Sequence, residues 1–144
     1  MAMKFSKSDI AFTQALPVCR VATTTKDCEP FLRPVWGAFD GKNIYFATDE
    51  GLPKLRHIKQ NPKVSVVFDD YDRNNWNSAR GIRFQGTASV MWKGEEYRHA
   101  HALLKEKFPA YRSTDQMGWE EGETPIVKVA PRSVWRWAFG EWEK

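Results

Sequence analysis

From Ile82 to Trp92 the chain alternates without a break. Ile82, Phe84, Gly86, Ala88, Val90 and Trp92 are interleaved with Arg83, Gln85, Thr87, Ser89 and Met91. Successive side chains of a strand point to opposite faces, so only a β-strand gathers these apolar residues on one side. Much of the remaining chain reads the same way. Val18 to Thr25, Phe31 to Phe39, Asn43 to Thr48, Ile126 to Val129 and Ser133 to Phe139 are rich in β-branched and aromatic residues. Val64 to Phe68 (VSVVF) reads as a short apolar strand buried on both faces. Asp40-Gly41 marks a hairpin turn, and Pro131 separates the last two strands. The strands are consecutive and joined by tight turns, which argues for an antiparallel sheet. A sheet with few helices protects its edges best by closing into a barrel.

Helical signals are fewer. Ser8-Asp9 can cap a short helix over Ile10 to Leu16, stopped by Pro17. Leu52, Leu55 and Ile58 recur at helical spacing behind Pro53, and Asn61-Pro62 ends that run. Glu95 to Lys107 is a further helix, broken by Pro109. The polar stretch Asp69 to Ala79 and the segment Tyr111 to Glu123 read as loops.

A chain of 144 residues fits a single domain spanning 1–144. Its formal charge of +4 suits an anionic small molecule and is too weak to indicate nucleic acid. The basic residues are dispersed rather than run together. Cys19 and Cys28 form no CxxC pair, and a domain of this size needs no disulfide framework. The N-terminal segment has no apolar signal core, and no stretch approaches membrane-spanning length. A soluble, cytoplasmic protein is expected. Seven Trp residues can fill a core, and some are candidates for lining the pocket of a flat ligand.

The segment with most chemical content is Asn43 to Pro62, NIYFATDEGLPKLRHIKQNP. A strand ends at Thr48, Gly51 turns the chain, and a helix begins at Pro53. The first turn of a helix presents free N–H groups and partial positive charge, which attract phosphate. Lys54 lies in that turn, and Thr48 offers a hydroxyl. Asp49 and Glu50 have the wrong charge beside an anion unless they point away. Arg33, in the otherwise apolar run Arg33-Pro34-Val35-Trp36, needs an anionic partner or a route to water. Metal and triad chemistry find little support. His99 and His101 would point about 200° apart on a helix, so they cannot easily share an ion. No GxSxG, Walker loop or dinucleotide GxGxxG is present.

Taken together, CRVATTT, RPVWGAFDGKNIYFATDEGLPKLRHIKQNPKVSVVFDD and IRFQGTASV resemble the pyridoxamine 5'-phosphate oxidase-like FMN-binding split barrels, over about Pro17 to Phe139. The resemblance implies a mainly β fold, an antiparallel six- to seven-stranded split β-barrel with two or three peripheral helices. It implies a homodimer with FMN at the interface, a small-molecule substrate and hydride-transfer chemistry. By the same resemblance Arg33, Pro34, Val35 and Trp36 run along the flavin, and Thr48 and Lys54 hold its phosphate. Arg83 faces the cofactor held mainly by the partner, and Trp137 or Trp135 is the aromatic near the ring. Catalytic residues are not implied, and no metal is. Two departures count against the vitamin-forming reaction: no Arg-x-His closes the chain, and Leu52-Pro53 replaces a Ser/Arg pair before the phosphate Lys. Deazaflavin or haem binding, a flavin module without turnover, and a nucleic-acid-binding barrel are the alternatives.

Overall fold

A computed structural model describes residues 3–140. The elements are α1 (Lys7–Gln14), β1 (Cys19–Thr24), β2 (Pro30–Val35), β3 (Gly37–Phe39), β4 (Ile44–Ala47), α2 (Pro53–Gln60), β5 (Lys63–Asp72), β6 (Asn75–Met91), α3 (Glu95–Lys107) and β7 (Ile126–Ala138), with a 3-10 turn over Pro109–Arg112. All seven strands belong to one sheet in the order β2-β1-β5-β6-β7-β4-β3, and every pairing is antiparallel. The expected mainly β class and strand number are therefore found.

The segment Phe31 to Phe39 is not one strand. It divides at Trp36 into β2 and β3, which occupy the two opposite edges of the sheet. One residue joins the edges, so the sheet must curl until they meet there. Phe39, Phe46, Val66, Phe68, Ile82, Phe84, Val127 and Val129 fill the interior of the curl. A second cluster lies on the outer face of β3, β4 and β7. There Ala38, Tyr45 and Ile126 pack against Tyr97, Ala100 and Leu104 of α3 and against Phe108, Tyr111 and Trp119 beyond it.

Four further expectations are corrected. Asp69 to Ala79 is not a loop but the projecting end of the β5–β6 hairpin, paired through Asp69↔Gly81, Asp70↔Arg80 and Asp72↔Asn75. Backbone pairing there needs no apolar face, so its polar side chains gave no strand signal. Pro131 does not end a strand. It sits opposite Gly86, where a register shift between Gln85 and Gly86 lets β7 run on past a residue without an N–H. Val64, Val66 and Phe68 are buried while Ser65 and Val67 are half-buried, so β5 has one core face rather than two. Finally, α1 starts earlier than Ser8. Ser6 is its N-cap, and a capping box links the Ser6 hydroxyl and the Asp9 carboxylate to each other's backbone N–H groups.

Long-range polar contacts fasten the helices. Arg136 of β7 donates two hydrogen bonds of 2.7 Å to the fully buried Asp9 carboxylate. Lys107, at the end of α3, donates to the carbonyls of Thr13 (2.9 Å) and Gly37 (2.7 Å). Burial lowers the Lys107 amine to about 8.

Candidate functional site

The curl brings the β2–β3 joint, the end of β4 and the start of α2 to one place. Between them lies an open cleft of about 280 Å3. Pro34, Val35 and Trp36 come from the joint, Ala47, Thr48 and Asp49 from the end of β4, and Leu52 and Lys54 from the head of α2. Tyr111, Met117, Trp119 and Thr124 close the far side. Five of the eight residues singled out in the sequence thus line one cleft: Pro34, Val35, Trp36, Thr48 and Lys54.

The head of α2 is built as expected. Pro53 opens the helix, and the N-cap Leu52 makes no side-chain cap bond, so its first N–H groups are not claimed by a capping side chain. No acidic residue lies in its first turn. Burial lowers the Lys54 pKa, the nearby Arg33 lowers it further, and Asp49 offsets this in part. Arg33 does not line the cleft, but it lies near enough for its charge to be felt at Lys54. Among the described residues neither cation makes a hydrogen bond or ion pair. Thr48 Oγ1 is also buried without a hydrogen-bond partner. An unpaired buried hydroxyl costs about 1–3 kcal/mol, and two neighbouring cations repel, an effect the Asp49 charge offsets only in part. One anion at this spot relieves both.

The opposite wall is aromatic. Trp36 stacks on Phe108 at 5.4 Å and tilts against Tyr111 at 5.5 Å. Tyr111 meets Trp119 edge-on at 4.8 Å, and burial raises its phenol to about 12. Trp119 donates from Nε1 to the Tyr97 hydroxyl at 2.6 Å, and that hydroxyl donates to the Thr124 carbonyl at 2.5 Å. Trp36 is singled out in the sequence, but Tyr111 and Trp119 lie in a stretch that reads as connecting loop. The available signal was Trp119 itself, a large ring within a Gly- and Glu-rich stretch.

Arg83 and Trp137 stand apart from the cleft. The Arg83 guanidinium lies over the Trp135 ring at 5.3 Å. Trp137 pairs with Gly81, and its indole lies where a Cβ on Gly81 would fall. Trp135, Phe139 and Trp76 continue as an exposed row of aromatic rings. The histidines lie outside the cleft: His57 bonds Thr23, His99 bonds Asp40, and His101 stacks behind Trp119. Among the described residues no group of three or more His, Cys, Asp or Glu side chains could hold a metal ion.

The sequence profile of the pyridoxamine 5'-phosphate oxidase family matches residues 9–138. The chain belongs to this family. No curated protein matches it in sequence at a significant level. Solved structures extend the likeness. A conserved hypothetical protein of Mycobacterium tuberculosis superposes with a TM-score of 0.74 at 20% identity, covering 94% of this chain and 86% of that one. HutZ, the haem storage protein of Vibrio cholerae, superposes at 0.72 and 14% identity, covering 92% and 94%. A haem-binding protein of Mycobacterium smegmatis superposes at 0.73 and 16% identity, covering 99% of this chain and 57% of that one. Identities this low establish the shared fold of the family member and these proteins. Among the described residues no helix is long and apolar enough to cross a membrane.

Proposed function

We propose that the chain is an FMN-dependent oxidoreductase acting on a small organic molecule. The carrying observation is the anion-ready corner of the cleft: Lys54 with Arg33 nearby, neither in a hydrogen bond or ion pair among the described residues, and the orphaned Thr48 hydroxyl on the same cleft. Lys54 and Thr48 hold the terminal phosphate, Arg33 adds charge, and the Pro34 to Trp36 backbone runs along the rest of the cofactor. Bound FMN supplies a two-electron hydride acceptor and donor. The chain's own part is to bind it, orient it and shield it with the Trp36, Tyr111 and Trp119 rings.

The cleft of one chain is open rather than enclosed. This supports a site completed by a second copy, which brings Arg83 and Trp137 to the ring. The exposed Trp76, Trp135 and Phe139 supply apolar surface of the kind such an interface needs. Light scattering of the FMN-loaded protein is expected to give a dimer at micromolar concentration. A monomer that keeps FMN tightly bound would count against the shared site.

The structural likeness to haem proteins favours haem as a second reading, but no histidine lines the cleft. The visible spectrum of the purified protein separates the two. A flavin spectrum bleached by NADH or NADPH supports the oxidoreductase, and a Soret band supports haem. Lys54→Ala then tests the phosphate contact. A charge-assisted hydrogen bond contributes roughly 1.5–3 kcal/mol, so FMN should bind about ten- to a hundredfold more weakly. Riboflavin has no phosphate and should lose almost nothing. Equal losses for both flavins, or none for either, would remove Lys54 from the phosphate site.

A further inference from the structure

The segment 113–124 forms much of one wall of the cleft through Met117, Trp119 and Thr124. It is wound tightly on itself, with Gln116 and Gly118 N–H groups donating to the Ser113 carbonyl and Met117 N–H to that of Ala110. It is held to α3 through side chains, with Trp119 packed in the cluster of Tyr97, Ala100 and Leu104. Trp119 Nε1 and the Thr124 carbonyl share the Tyr97 hydroxyl, and Arg98 pairs with Glu121 at 3.1 Å. Gly94, the N-cap of α3, also donates its N–H to the Glu121 carboxylate at 3.2 Å, and a ring stack adds to these contacts. His101 lies nearly parallel to Trp119, at 4.4 Å and 16°.

His101 is only 8% exposed, and its Nε2 has no hydrogen-bond partner. It does not line the cleft, and it stays behind as a polar group left unpaired. We propose that residues 113–124 are a lid on the cleft and that the proton on His101 controls whether the lid stays shut.

The physical reason is the asymmetry between the two ring forms. A neutral imidazole can lie against the indole with one nitrogen unpaired. A protonated one is a donor at both nitrogens and carries charge into an apolar stack. The ring meets Tyr97 edge-on, and the charges felt at it are Lys105 on its own helix and Glu120 and Glu121 on the lid, of which Glu121 is paired with Arg98 of α3. Burial is the largest influence and lowers the His101 pKa. Lys105 lowers it further, and the two glutamates pull upward without restoring it. In the shut state the ring thus holds its proton less well than a free histidine, whose pKa is about 6.5. Above that pH both states are neutral and closure is unaffected. As pH falls below it, the open state takes up the proton first, and closure weakens progressively.

The test uses the protein without ligand, so its failure is distinguishable from failure of the flavin assignment. The protein is labelled with 5-fluorotryptophan, and the Trp119 fluorine line is assigned with Trp119→Phe. Its shift between H2O and D2O reports solvent contact. Trp119 is expected to be shielded at about pH 8 and increasingly exposed between about pH 6.5 and 5. His101→Phe keeps a flat ring against the indole but cannot titrate, and in it Trp119 should stay shielded throughout. Carbon-labelled histidine in the wild type gives a second measurement that needs no substitution at position 101. The His101 line should titrate below the free-histidine value, in step with the Trp119 exposure. The proposal is overturned if Trp119 keeps the same pH response in His101→Phe, if it stays shielded at acid pH in the wild type, or if His101 titrates at or above the free value.

Discussion

Asp9→Ala is expected to lower the stability of the fold by about 3 kcal/mol, seen as a clear fall in the urea midpoint at neutral pH. Asp9 is fully buried, and it receives both Arg136 hydrogen bonds and closes the capping box with Ser6. Breaking a buried pair costs roughly 3–5 kcal/mol because the surviving charge is left without a partner. The lower end applies here, since the Arg136 side chain keeps 32% exposure and can turn toward water. Loss of the cap adds to the loss, by about 1 kcal/mol in typical helices. The same pair makes stability depend on pH. Burial raises the Asp9 pKa, but the hydrogen bonds from Arg136 and Ser6 outweigh it and leave it below the usual carboxylate value. For a carboxyl with a depressed pKa in the folded state, the stabilisation is complete above the unfolded value of about 3.9. It is lost as pH falls through the folded one. Asp9→Asn should therefore be less stable at neutral pH and should lose less of its remaining stability on acidification. If the wild type and Asp9→Asn fell in parallel with acid, the pair would not be the source of the dependence.

Gly86→Ala is expected to be at least as damaging, by about 3 kcal/mol or more, and to yield little folded protein. A Cβ at Gly86 would lie 2.2 Å from the Ala130 carbonyl oxygen and 3.0 Å from Pro131 Cα. Both are backbone atoms, at the register shift that carries β7 past its proline. They cannot retreat without breaking the pairing of the two longest strands. Gly81→Ala gives the contrast. Its Cβ would meet the Trp137 indole at 2.7 Å, but an indole at a half-buried position can rotate away. Thermal unfolding of the two variants side by side should show the larger loss at Gly86. A smaller loss at Gly86 than at Gly81 would mean that the strands can separate there at little cost.

Several features of the site were legible in the sequence because they are local. The alternation from Ile82 onward is a property of neighbours, and β6 has that periodicity: Ile82, Phe84, Gly86 and Ala88 are buried while Arg83, Gln85 and Ser89 are exposed. Pro53 and the Asn61-Pro62 pair mark the ends of α2 by their own backbone chemistry, and α2 spans Pro53–Gln60. Thr48 and Lys54 are close along the chain, on either side of the Gly51 turn, so their meeting in the cleft needed no long-range information. In the same way Asp40-Gly41 announced the β3–β4 hairpin, with Gly41 at a φ of 92° that favours glycine.

What the sequence could not show depends on partners far along the chain. Nothing in Phe31 to Phe39 says that one strand will serve both edges of the sheet, because the break at Trp36 follows from where β1 and β4 lie. The hairpin end at Asp69 to Arg80 is polar, and only the facing strand makes it a ladder. Asp9 and Arg136 are 127 residues apart, and neither residue type alone announces a buried pair. Trp119 reads as a ring in a loop until Tyr97 and His101 of α3 come up behind it. Backbone periodicity and capping are written in adjacent residues, whereas the walls of the cleft exist only once the sheet has curled. The curl is a collective outcome of all seven strands burying their apolar faces at once.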